Sequence, residues 1–262
     1  MDLLLDAAPA FGIEGSRCGD GAARVTLPLI RPSGAIVSYH LELREVARST
    51  VWAREQPHAR RLPAHCPERH INRDGWFCMY WQEGEEEAWT INDADAAADW
   101  WILLTKYLNR QETVGVLRRW VGEARAHGDA ARHQRIAEQI AARFGPTFVQ
   151  DLRESRLRIV RRQRHGRDLL ELSRGGTVIA RVSATSSGRI PADLPCPCDE
   201  AGSARPIGQC NSHRDDLKKL MLAIHRWHEA ERTFYEQLLA KRVRCCGTML
   251  ECPLRCGGIR RA

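Results

Sequence analysis

The chain of 262 residues lacks the short elements that mark nucleotide-binding enzymes: it has no Gly-Lys-Ser/Thr phosphate loop and no Gly-x-Gly-x-x-Gly fingerprint. It shows no internal repeat, which removes solenoid and propeller architectures. Residues 1–12, MDLLLDAAPAFG, hold an apolar run that opens with an acid and has no basic leader. Neither a secretory signal nor a membrane span is expected, so a cytoplasmic protein with no membrane partner is expected. Cysteine, by contrast, is plentiful. Ten cysteines in a reducing compartment read as metal ligands or nucleophiles rather than disulfides, and seven lie in the last quarter of the chain.

A hydrophobic fraction of 43% over this length supplies one large or two ordinary cores. The net charge of +7 is modest but unevenly spread. Arg153, Arg156, Arg158, Arg161, Arg162, Arg164 and Arg167 crowd one segment. A run of that kind can meet nucleic acid or an acidic protein face. No aromatic residues are interleaved for base stacking, which favours a solvated face.

The first part of the chain reads as antiparallel sheet. Arg24 to Ile30 and Val37 to Leu43 flank the turn Arg31-Pro32-Ser33-Gly34, and a third strand is expected around Ser49 to Arg54. Pro28 points to an edge strand, since proline cannot donate to a ladder. A helix capped by Asn92 or Asp93 follows, with Ala94, Ala97, Ala98, Trp101, Leu104 and Leu108 at helical spacing. Further helices are expected over 112–126 and 129–144, stopped by Gly145-Pro146. The second half offers a hairpin, 169–173 and 177–182, about Gly175-Gly176, and a long amphipathic helix over 215–242. That helix carries Leu217, Leu220, Ile224, Trp227, Tyr235 and Leu238 on or near one stripe.

Between the sheet and the first helix lies the most informative stretch, His70-Ile71-Asn72-Arg73-Asp74-Gly75-Trp76-Phe77-Cys78. Taken singly, Cys78 would read as a small buried hydrophobe and His70 as a structural histidine. Together, a histidine and an asparagine precede the cysteine across an Asp-Gly turn, which can swing the Asn72 amide toward the thiol. A thiolate is a good acyl carrier, and a nearby amide N–H can stabilise an oxyanion. The stretch resembles the active-site segment of ubiquitin-conjugating (E2) enzymes, in which His-Pro-Asn precedes a Gly-x-x-Cys. Ile71 stands where that family usually has proline, and the Asn72 to Cys78 gap is short, so the likeness is closest to divergent bacterial E2-like proteins with an associated cysteine-rich region. The resemblance implies that an E1-like adenylating enzyme passes a ubiquitin-like protein to Cys78 as a thioester and that an amine then takes it. It further implies that Asn72 stabilises the oxyanion and that His70 holds the turn. Such proteins sit in bacterial conjugation systems, several of them tied to antiphage defence.

The remaining cysteines form two groups. Cys196, Cys198, Cys210 and His213 supply the four ligands of a closed zinc site and resemble the short SEC-C zinc motif. Cys245, Cys246, Cys252 and Cys256 supply four more. An unbroken helix over 215–242 would hold its ends roughly 40 Å apart. Either two separate sites or one site across a broken helix would then remain, binding one or two zinc ions on which the module's folding depends. The expected architecture is α+β: an E2-like (UBC-like) antiparallel sheet with packed helices over 1–145, followed by a cysteine-rich, zinc-binding α+β module over 146–262. The alternative is a non-catalytic E2-fold binding module whose zinc-stabilised region, with the 153–167 arginine run, grips nucleic acid or a protein partner.

Overall fold

The computed structural model describes residues 1–31, 33–46, 50–79, 90–121, 126–164, 166–183, 189–198, 205–210 and 212–255, with residues 164 and 167 described in backbone only. The protein is a mixed α+β chain with two antiparallel sheets. It forms two compact units, one of residues 1–124 and 238–262 and the other of residues 125–237.

The first unit opens with a short helix, α1 (Asp2–Ala7), followed by four strands in meander order: β1 (Glu14–Gly19), β2 (Ala22–Ile30), β3 (Ile36–Val46) and β4 (Thr50–Glu55). Alternation in β2 and β3 sends Val25, Leu27 and Leu29, and Tyr39, Leu41 and Leu43, to one buried face. β2 is an interior strand, contrary to the reading from Pro28. The physical reason is local. β1 pairs with β2 only up to Thr26, so Pro28 lies past the end of that ladder and has no donor to lose there.

A long helix, α2 (Ala94–Leu117), covers the sheet's buried face. Asp93 caps it, accepting from the Ala96 amide at 2.7 Å. Trp100, Trp101, Leu104 and Leu108 are fully buried, and the two indole N–H groups donate to Val51 O and Leu4 O. No breaker interrupts residues 109–111, so α2 runs through the expected start of a separate helix at 112. It ends at Arg118, whose left-handed backbone (φ 56°) turns its amide onto Val114 O.

The second unit contains α3 (Asp129–Ala142), α4 (Pro146–Arg153), a three-stranded sheet of β5 (Leu157–Arg164), β6 (Arg167–Arg174) and β7 (Thr177–Ser183), and most of α5 (His213–Ala240). Ile140, Phe144, Phe148, Leu170, Leu172, Val182, Leu220 and Ile224 pack into one core. The compact units therefore divide near 124 rather than near Gly145, because α3 contributes Ala137, Ile140 and Ala141 to the second core. β5 is an edge strand. Arg158, Arg161 and Arg162 face solvent, Arg161 pairs with Asp168 and Arg162 with Glu171, and Arg156, just before the strand, pairs with Asp151. This is the pattern of a charged, blunted sheet edge. Among the described residues no helix is long and apolar enough to cross a membrane.

Candidate functional site

Residues 66–78 fold as two successive turns beside β4. Cys66 and Ile71 exchange backbone hydrogen bonds at 3.1 and 3.0 Å around the 3-10 turn Pro67–Arg69. His70 closes that turn in the left-handed region (φ 53°, ψ 43°), a conformation in which histidine is among the few tolerated non-glycine residues. The second turn is the expected Asp-Gly one. Asn72 N donates to Trp76 O at 2.8 Å, Gly75 N donates to Asn72 O at 2.9 Å, and Gly75 supplies the positive φ (85°). Phe77 N then donates to Ala53 O, fastening the turn to β4, and Arg54 lies over the Trp76 ring at 4.4 Å.

This path carries the chain back so that the Cys78 amide donates to His70 O at 2.8 Å. Cys78 reaches solvent. Protein packed around its sulfur nevertheless raises the thiol above its ordinary value, because burial penalises the thiolate. His70 is buried, its ring 4.6 Å from that of Trp120. Asn72 is exposed at the turn, and its side-chain amide has no hydrogen-bond partner among the described residues.

The supports beneath these turns escaped sequence reasoning. Tyr107 and Gln111, one turn apart on the buried face of α2, aim their polar groups upward. The Tyr107 hydroxyl donates to both Arg69 O and His70 O at about 3 Å, and Gln111 Nε2 donates to Arg69 O at 2.6 Å. Arg69 answers, donating to Gln111 Oε1 and Gln111 O at 2.8 Å each. Burial, aided by the charge of a Cys78 thiolate, holds the Tyr107 hydroxyl firmly protonated. Two polar residues at i and i+4 within an otherwise apolar helix stripe are the signal that could have flagged them.

In the second unit, Cys196, Cys198, Cys210 and His213 do converge: one ligand atom from each lies within 4.8 Å of all the others. Cys196 Sγ is 3.4 Å from Cys198 Sγ and 3.3 Å from His213 Nδ1. A bridge between Pro195 and Pro206 sets the first pair against the 3-10 turn Ile207–Gln209, which delivers Cys210, and His213 begins α5. The His213 ring packs at 4.9 Å on Phe144. Burial pushes the Cys196 thiol up to about 12. A shell of three sulfurs and one imidazole, with Cys196 and Cys210 buried and Cys198 and His213 half-buried, is the chemistry of a closed, four-coordinate metal site.

The tail cysteines are not part of that shell. α5 is unbroken from His213 to Ala240, and Cys245, Cys246 and Cys252 lie in the first unit, where Cys66 joins them; Cys256 lies outside the described residues. Cys66 Sγ and Cys246 Sγ are 2.8 Å apart. Buried Cys66 keeps its proton, and its thiol, the Thr248 hydroxyl and the Arg69 charge hold Cys246 down at about 5.

A meander sheet covered by a helix, with an exposed cysteine presented behind a His-x-Asn turn, defines an E2-like class of protein. Residues 13–121 match the family described as the prokaryotic E2 domain, and residues 126–254 match the cysteine-rich domain that lies C-terminal to E2 domains. The chain thus belongs to the prokaryotic E2-domain proteins that carry a C-terminal cysteine-rich domain. No curated protein and no solved structure gives a significant match.

Proposed function

We propose that the protein accepts a ubiquitin-like protein from an E1-like adenylating enzyme as a thioester on Cys78 and transfers it to an amine, most simply a target lysine. The observation that carries this reading is the solvent-reaching Cys78, tied by its own amide to the left-handed His70 within a prokaryotic E2 domain. Transfer to an amine passes through an oxyanion, which the exposed Asn72 amide, without a hydrogen-bond partner among the described residues, is free to meet. His70, buried against Trp120, serves as a strut and not as a base. A bacterial conjugation pathway, of the kind tied to antiphage defence, is the setting in which such chemistry belongs.

Zinc is the ion whose ligand preferences the Cys196, Cys198, Cys210 and His213 shell fits. When bound, it would stabilise the loop between β7 and α5 and take no part in acyl transfer. The paired arginines of β5 favour a protein that meets other proteins over one that grips nucleic acid.

The test is incubation with an E1-like enzyme, a ubiquitin-like protein and ATP, read on a non-reducing gel. A reductant-sensitive adduct should form and should vanish in Cys78→Ala. An adduct of equal yield in that variant would place the nucleophile elsewhere.

A further inference from the structure

Acyl transfer makes no use of the contact between Cys66 Sγ and Cys246 Sγ, which lie 2.8 Å apart across 180 residues of sequence, both within the first unit. Among the described residues the one group of side chains placed to hold a metal ion is the Cys196, Cys198, Cys210 and His213 shell, so this contact calls for other chemistry. The two sulfurs are unlike. Cys66 is buried, whereas Cys246 is half-buried and lines an open groove of about 470 Å³ together with His65, Arg73, Lys241, Arg242 and Arg244. A small solute in that groove can reach Cys246, and the cations along it favour an anionic sulfur. From the other side, buried Arg69 donates to the Thr248 hydroxyl at 3.5 Å, and that hydroxyl donates on to Cys246 Sγ at 3.0 Å. Cys246 is therefore the nucleophile of the pair, and Cys66, which keeps its proton, stands behind it.

We propose that Cys66 and Cys246 form a site of reversible oxidation, at which a hydroperoxide entering the groove oxidises Cys246 and Cys66 then closes a disulfide with it. The Cys246 thiolate attacks one oxygen of the peroxide: an S–O bond forms, the O–O bond breaks, and the departing hydroxide takes a proton from solvent and leaves as water. Sulfur becomes a sulfenic acid as the peroxide is reduced by two electrons. The Cys66 sulfur then attacks Cys246 Sγ, the S–S bond forms as the S–O bond breaks, and hydroxide departs as water with the Cys66 proton. A disulfide holds its sulfurs about 2.05 Å apart, so closure from 2.8 Å asks for a movement of under an ångström. The bond would fasten the segment after α5 to the turn behind Cys78, because Cys66 exchanges backbone hydrogen bonds with Ile71 and His70 O holds the Cys78 amide. Neither sulfur takes part in acyl transfer, so a failed charging assay leaves this chemistry standing.

The test treats the full chain, reduced and then freed of reductant, with equimolar hydrogen peroxide, blocks remaining thiols by alkylation, and maps the peptides by mass spectrometry without reduction. The Cys66 and Cys246 peptides should appear joined, lighter by two hydrogen atoms than their sum, and should part on reduction. Cys246→Ser should lose the link and leave Cys66 unoxidised, while Cys245→Ser should keep it. In Cys66→Ser, a sulfenic acid trapped by dimedone should accumulate on Cys246. Wild-type protein whose Cys66 stays a free thiol while exposed Cys18 or Cys78 is oxidised would overturn the proposal, as would a link that survives in Cys246→Ser. The wild-type map decides the outcome even if Cys66→Ser fails to fold.

Discussion

Cys78 answers to two opposed demands. Under the proposed function it meets another protein's C-terminus at the surface, yet the packing that fixes its backbone to His70 also makes its thiolate costly. Since the thiol is raised above its ordinary value of 9.0 and the thiolate is the nucleophile, the reactive fraction is small at neutral pH and grows about tenfold per pH unit below the pKa. The rate of alkylation of Cys78 should climb steadily from pH 7 to pH 9; a plateau below pH 8 would mean a thiol that is not raised. Asn72 is tested separately. If its side chain supports the oxyanion, Asn72→Ala should slow discharge to a free amine by about 10²–10³-fold while charging changes less, and equal discharge rates would remove that role. The order His70, Asn72, Gly75, Cys78 was legible because turn chemistry is local. Tyr107, Gln111 and Cys66 were not, since each acts on a partner tens or more residues away in sequence.

At the level of elements, local signals held where the element was self-contained. Gly175 and Gly176 sit between β6 and β7 with φ of 55° and 89°, as a two-residue hairpin turn requires. They misled where a neighbour decided the outcome: Pro28 marks the end of a ladder, which no reading of β2 alone could locate. The turn that presents Cys210 depends on a residue with no sequence motif at all. Gly208 N donates to Ala192 O at 2.8 Å, and a Cβ on Gly208 would come within 2.8 Å of Ala192 Cβ and 2.9 Å of Ala192 O. Both are backbone or near-backbone atoms that cannot swing aside. Gly208→Ala should therefore displace the turn, cost roughly 1–3 kcal/mol and weaken metal retention at Cys210 and His213. Unfolding midpoints with and without added zinc measure both effects, and a variant matching wild type in each would show the loop free to yield.

For the whole molecule, the sequence pointed to a sheet-and-helix first half and a cysteine-rich second half, but not to a chain whose last residues return to the first unit. That return rests on contacts of high sequence separation, such as Leu250 N to Arg118 O at 2.8 Å and Arg118 Nη2 to Gly247 O at 3.1 Å, which leave no local trace. The second unit also has more core than one hairpin and one helix would provide. α3, α4 and the turn between them add Ile140, Phe144, Phe148 and Leu152 to the sheet and to α5. An apolar core of that extent stabilises the unit without a metal, at about 25 cal/mol for each Å² buried. We predict that an ion in the shell governs a part of the unit and not its existence. Replacing Cys196 and Cys198 together by serine should remove one ion, and hydrogen exchange should quicken over residues 190–213 while β6 and the Leu217–Ile224 part of α5 stay protected. Exchange in β2, β3 and α2 should be unchanged, since none of them supplies a ligand to that shell. Global loss of protection throughout 125–237 would show instead that the ion, and not the Phe144 and Phe148 core, is what holds the second unit folded.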